Sequence, residues 1–333
     1  MKPILLSTIL LLLLLSCKKS DTTHIVTPPA SWHLVASKAG MILRAVNFVN
    51  SEKGLVVGSV IKDDGSFVHG IILKTANGGN SWDLITHDTL PDLSSVFLID
   101  TLTAYAAGTT CIIKTTDGGN TWSTVFRNHS FNPESIYFPG KDTGYAVGIS
   151  GAIVRTVNGG QSWEFQQSHT NCQLTSVYFT NNQTGFAVGY FNQTDNFHGL
   201  ILKTTNAGAT WDSIPYVGEA MPSSVVFTSP DVGYISGMNS VLKTTDGGTN
   251  WTASYPFPMC SLGPISFLPG SPYGFMLNSC GNIVKTIDGG ETWSDVGLTT
   301  KSSLMSLCWV EYDTGYAVGW EHDSNTGTIY KWY

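Results

Sequence analysis

Charge is what this sequence has least of. Only 12% of its 333 residues are Asp, Glu, Lys or Arg, about half of the ~25% usual in a globular domain. Exposed helix faces are normally filled with Glu, Lys and Arg, so the scarcity argues against a helical protein. Arginine is scarcer still, with Arg44, Arg127 and Arg155 the only three. Acidic residues outnumber basic ones by 24 to 17, for a formal charge of −7. Such a balance does not build the clustered basic surface that a phosphate backbone needs, which excludes nucleic acid as a partner. A membrane-spanning run is also missing. The apolar stretch at residues 4–15 is shorter than the ~20 residues a spanning helix requires. Close His-x-His and Cys-x-x-Cys pairs are absent, so no zinc signature arises, and no metal or cofactor is expected.

Glycine and tryptophan are plentiful instead, at 35 and 10 residues. With 42% hydrophobic and 11% aromatic residues the chain is not disordered. Many glycines with few charges suit short strands joined by tight turns.

The chain opens Met1-Lys2-Pro3, followed by the apolar stretch and then Leu14-Leu15-Ser16-Cys17. A charged start before a short apolar core reads as an export signal. Its end resembles the bacterial lipobox, with Cys17 as the residue that would carry the lipid. The resemblance implies a signal peptide at 1–16 and a lipidated Cys17 that opens a polar, proline-containing tether over 17–30. Acyl chains at ~0.8 kcal/mol per buried CH₂ would hold the mature protein to a membrane. Lys18, rather than Asp, follows the cysteine, which favours the outer membrane of a bacterial envelope. The sequence does not say which side of that membrane the protein faces.

Beyond residue 30 the chain repeats itself. Lys74-Thr75-Ala76-Asn77-Gly78-Gly79-Asn80-Ser81-Trp82 returns five times, ending at Trp122, Trp163, Trp211, Trp251 and Trp293. The spacings between these tryptophans are 40, 41, 48, 40 and 42 residues. A second motif keeps the same step. It is clear at Gly144-Tyr145-Ala146-Val147-Gly148 and at 185–189, 233–237 and 315–319, and weaker at 54–58, 104–108 and 274–278. A period near 42 residues with four short strands per unit marks a β-propeller. In one unit the strands, a to d, are expected at 94–99, 104–108, 111–115 and 121–126.

The Thr-x-Asp/Asn-Gly-Gly-x-Ser/Thr-Trp turn between strands c and d resembles the Asp-box, also called the BNR repeat. The Asp-box occurs in sialidases, sortilin-type receptors, xyloglucanases and propellers like the photosystem II assembly factor. The last group is the nearest match, because it carries both motifs, and the resemblance covers nearly all of 31–333. The resemblance implies an all-β, seven-bladed propeller of four-stranded antiparallel blades. The seven Gly-aromatic strands outnumber the six Asp-boxes. The final unit has only strands a, b and c, at 304–310, 315–320 and 328–333. The segment Ser31-Trp32-His33-Leu34-Val35 is therefore expected to supply its outer strand and close the ring, as a monomer.

Asn77, Asp117, Asn158, Asn206, Asp246 and Asp288 are assigned to capping their turns. Asn for Asp is a substitution that a cap tolerates and a catalytic acid would not. The six tryptophans Trp82, Trp122, Trp163, Trp211, Trp251 and Trp293 pack against the turns. Most b–c links are minimal, but those at 59–70, 190–199 and 320–327 are long and belong to blades 1, 4 and 7. They carry His69, Tyr190, Phe191, His198, Trp320 and His322, together with Asp63, Asp64, Asp195 and Asp323. Aromatic and polar side chains on loops suit a peptide or glycan surface. Cys260 and Cys280 belong to the same rim of one blade and are expected to pair, with Cys308 left free.

Sialidases clamp a carboxylate with three arginines. Here only Arg44 lies in a strand a, so that activity is not expected. The net acidity and few arginines also argue against carrying over the assembly factors' basic binding face. The expected function is a non-catalytic, lipid-anchored scaffold of the envelope that binds protein or glycan. A glycoside hydrolase of Asp-box type, with two carboxylates ~5–9.5 Å apart, is the alternative.

Overall fold

Each repeat folds into one antiparallel sheet whose strands pair in chain order. In blade 2 strand a is Leu93–Leu98, b is Ala104–Gly108, c is Cys111–Thr115 and d is Ser123–Arg127. Strand d starts two residues later than the repeat suggests, because the turn still holds Thr121. Both the amide and the hydroxyl of Thr121 donate to the Asp117 carboxylate. The computed structural model describes residues 31–333 except 87–88, 194–195, 219–220, 258–259, 269, 280–281 and 299. The signal peptide, Cys17, the tether, Asp195 and Cys280 lie outside the described residues.

Seven such sheets form the ring. The last combines Ser302–Glu311, Thr314–Glu321 and Thr326–Trp332 with the first strand of the chain, Trp32–Ala39. Trp32 lies opposite Trp332 in that antiparallel pairing. Its indole is buried against Phe275, Trp309 and Trp332. Pairing the two ends removes the open edge that a seventh three-stranded blade would present.

Hydroxyls and glycines shape the turns. In all six Asp-boxes the glycine three residues before the tryptophan donates its N–H to the threonine that ends strand c, at 2.8–3.0 Å, including Gly208, which follows Ala207 rather than a glycine. Gly118 and Gly119 adopt φ of +72° and +87°, a region that side chains with a Cβ avoid. Asp117, Asp246 and Asp288 accept bonds from their own turns, which lowers each carboxyl to about 2. The main cause is the amide of Thr121 for Asp117 and of Asn250 for Asp246, and the hydroxyl of Thr292 for Asp288.

The two sequence motifs meet between blades. The Tyr105 hydroxyl in strand b and Lys114 Nζ in strand c of blade 2 both donate to the Gly159 carbonyl, in the Asp-box of blade 3. Tyr234 and Lys243 do the same to Gly289, and Tyr316 and Lys331 to Gly78. Each lysine also stands over its tyrosine ring, at 5.3–5.8 Å. The glycine that opens strand b leaves room for an aromatic ring: a Cβ on Gly185 would come within 2.5 Å of Phe179.

Candidate functional site

The long b–c links are not loops. In blade 1 strands b and c extend to Gly54–Ile61 and Phe67–Thr75, and in blade 4 to Gly185–Gln193 and Asn196–Thr204. His69, Tyr190, Phe191 and His198 are thus strand residues, as is Trp320 in Thr314–Glu321. Of the six candidates, only His322 lies in a turn. The reason is register. Backbone pairing continues past each repeat's usual end, with Val60 opposite His69, Phe191 opposite His198 and Trp320 opposite Gly327.

These hairpins place their side chains unequally. Trp320 and His322 lie together, with ring centroids 3.8 Å apart. Trp320 Nε1 donates to Asn325, while His322 Nε2 is 3.3 Å from the Ser303 hydroxyl. His69 Nδ1 bonds to the carbonyl of its neighbour Gly70, and His198 is exposed. Phe191 packs against the core between blades 3 and 4. The Tyr190 hydroxyl donates to Gln173 Oε1 at 3.2 Å.

The channel is built by the seven inner strands. In most of them the register slips beside strand b, as between Leu43 and Ala45, Leu93 and Ser95, Pro133 and Ser135, and Leu174 and Ser176. A bulge re-aims the extra residue, and here Arg44, Ser94, Glu134 and Thr175 line a cavity of about 430 Å³. The next residue stitches the ring: the Ser95, Ser135, Ser176 and Ser306 hydroxyls accept from Ile136, Val177, Val225 and Val46 amides of adjacent blades.

At this position three blades have Ser or Thr, as Ser94, Thr175 and Ser223, and two carry charge. Arg44 makes a two-pronged pair with Asp92, its Nε 3.0 Å from Oδ1 and its Nη2 3.2 Å from Oδ2. The buried Ser59 hydroxyl donates to the same carboxylate. Gln173 Nε2 donates to Glu134 Oε1 at 3.3 Å. Burial pushes the Glu134 carboxyl up, against the opposing pull of the Arg44 guanidinium. Arg44, Asp92 and Glu134 share one opening of about 160 Å³ with Asn132 and Thr109. The opening therefore presents a guanidinium and a carboxyl with raised proton affinity, and the Gln173 amide and Tyr190 phenol continue its polar network through Glu134.

Sequence reasoning named Arg44 and Tyr190 but passed over Asp92, Glu134 and Gln173. The available signal is positional: Glu134 stands where other copies have Ser94, Thr175 and Ser223.

Among the described residues no cluster of three or more His, Cys, Asp or Glu side chains could hold a metal. Cys111, Cys172 and Cys308 are free, and burial pushes the Cys308 thiol up to about 11. Cys260 is disulfide-bonded, and its proposed partner Cys280 lies outside the described residues.

With seven four-stranded blades, six Asp-box turns and a ring closed by the first strand, this chain is a seven-bladed propeller of the Asp-box, or BNR, type. Residues 126–254, from the end of blade 2 to the end of blade 5, match the family described as photosynthesis system II assembly factor YCF48. Among solved structures, "YCF48 bound to D1 peptide" aligns with a TM-score of 0.69 and 16% identity over 92% of this chain and 97% of that one. YCF48 from Cyanidioschyzon merolae aligns at 0.69 with 17% identity over 91% and 99%. The GH74 xyloglucanase from Xanthomonas campestris aligns at 0.59 with 14% identity, over 88% of this chain and 60% of that one. At these identities the likeness is one of fold. No curated protein sequence matches the chain.

Proposed function

We propose that this protein is a non-catalytic, lipid-anchored propeller of the bacterial envelope, and that it binds a segment of a partner protein at the b–c face. The observation that carries the reading is the channel mouth, where Arg44 and Glu134 line one opening and the bonds from Gln173 to Glu134 and from Tyr190 to Gln173 extend its polar network to a third blade. Such groups match the N–H and C=O groups of an extended peptide. The blade 1 hairpin beside it exposes Phe67 and Val68, at 46% and 43%, which adds apolar contact. The similar propeller solved with a D1 peptide is a precedent for a protein ligand. Cys17 supplies the anchor and the 17–30 tether the reach. The test compares cross-linked partners of the anchored protein with those of a Glu134→Gln/Gln173→Ala/Tyr190→Phe variant. Loss of a partner in the variant, with unchanged thermal unfolding, is the expected result. An identical partner set defeats the proposal.

One observation favours a second reading. Asp92 and Glu134 are two carboxylates at one opening, and one of them has a raised proton affinity, as a glycosidase acid would. Asp92 is committed to Arg44 and Ser59, which argues against a free nucleophile or base. Turnover of glycosides that Glu134→Gln abolishes is the result that would establish this alternative.

A further inference from the structure

The stacking that seals the blades is missing at one place. At six junctions an aromatic residue of strand b lies on the ring that ends strand a of the next blade. The pairs are Tyr105 on Phe138, Tyr145 on Phe179, Phe186 on Phe227, Tyr234 on Phe267, Phe275 on Trp309 and Tyr316 on Phe48, with centroids 3.9–4.6 Å apart. Between blades 1 and 2 both positions are leucine, Leu55 and Leu98. The glycine that elsewhere makes room for the second ring is here Ala104.

The missing rings leave space. A cavity of about 190 Å³ lies at this junction on the Asp-box face, lined by Leu55, Leu98, Ala104, Lys74 and Asp117, with Leu102 on its edge. An apolar cavity of about 150 Å³ holds benzene. Leu102 is 54% exposed. Trp122, the tryptophan of this Asp-box, is half-buried, as is Trp293, where Trp82, Trp163, Trp211 and Trp251 are buried. The polar end of the socket is also vacant. Lys74 Nζ turns to the Asn120 side chain at 2.5 Å. No described residue donates to the Gly118 carbonyl, the counterpart of Gly159, Gly289 and Gly78, which accept both a phenol and a lysine.

We propose that this notch is a socket for the side chain of a tyrosine presented by a partner protein. The chain's own tyrosines define the pose. The ring enters between Leu55 and Leu98, the phenol donates to the Gly118 carbonyl, and Lys74 stands over the ring as Lys114 does over Tyr105. The socket faces away from the channel mouth, so it does not depend on the function proposed above.

The test titrates the full chain with N-acetyl-tyrosinamide and N-acetyl-phenylalaninamide while following the Trp122 indole N–H by NMR. Saturable shifts are expected, with the tyrosine probe bound about fivefold more tightly, the effect of one net hydrogen bond. Leu55→Tyr/Leu98→Phe/Ala104→Gly refills the junction and should abolish binding without lowering the unfolding temperature. If the triple variant does not fold, Leu55→Tyr alone should weaken binding at least tenfold. Glu134→Gln should leave it unchanged. Absence of a saturable shift, equal binding of the two probes, or binding that survives refilling would each overturn the proposal.

Discussion

A single aspartate shows why the acidic residues of this chain are structural. Asp117 spends its oxygens on the amides of Thr121 and Asn120 and on the hydroxyls of Thr121 and Thr115. Because its carboxyl falls from 3.8 to about 2 in the fold, its contribution to stability is complete above ~4 and is lost as pH falls through ~2. Asp246 and Asp288 behave alike. The chain therefore loses unfolding temperature on acidification between pH 4 and 2. The Asp117→Asn/Asp246→Asn/Asp288→Asn variant should show a shallower loss, because Asn77, Asn158 and Asn206 already cap their turns as amides. Melting curves across that range decide it. Glycine makes the second residue-level case. Gly185→Ala drives a Cβ into the Phe179 ring and should cost about 1–3 kcal/mol. Ala104→Gly, where Leu98 replaces the ring, should not approach that cost. Denaturant unfolding of both variants measures the contrast.

Within an element, the two motifs that are separate in sequence act as one device. In blades 2, 5 and 7 strand b supplies a phenol and strand c an ammonium to the next blade's turn, so each of these blades grips its neighbour at one carbonyl. Tyr316→Phe removes one of the two donors to Gly78 and is expected to cost about 1 kcal/mol. The loss is tolerable, because Phe186 already lacks the hydroxyl and Lys203 alone holds Gly247. The closing strand bears more. Trp32 is 7% exposed and touches three aromatic rings of blades 6 and 7. Trp32→Ala should therefore cost about 3–5 kcal/mol, read as a large fall in the denaturation midpoint with native far-ultraviolet circular dichroism at zero denaturant. A small fall would mean that the ring does not depend on its seam.

At the scale of the whole molecule, the reading of Cys17 predicts that Cys17→Ala moves the protein from the membrane pellet to the soluble fraction. If the variant remains in the pellet, the anchor lies elsewhere. Blade number, strand order and ring closure were all legible from the 42-residue step, the Asp-box turns and Trp32, because local pattern and turn chemistry decide them. So were the capping roles of Asn77 and Asp117, which need only neighbours four residues away. The channel mouth was legible only in part. Arg44 and Asp92 are 48 residues apart and Gln173 and Glu134 are 39 apart. They meet because bulges in two inner strands aim Arg44 and Glu134 at residues that open the inner strands of the next blades, Asp92 just before Leu93–Leu98 and Gln173 at the start of Gln173–Phe179. The three long links were legible as departures from the repeat, but not as continued strands, since register past a motif depends on pairing with the opposite strand. The notch between blades 1 and 2 lay in plain view as Leu55, Leu98 and Ala104, three unremarked deviations at distant positions. The sequence by itself determined the ring, through motifs whose partners are local or repeat at a constant step. Only the tertiary structure decided which deviations share a site, because that depends on closure, which brings one residue from each of several blades to a single point.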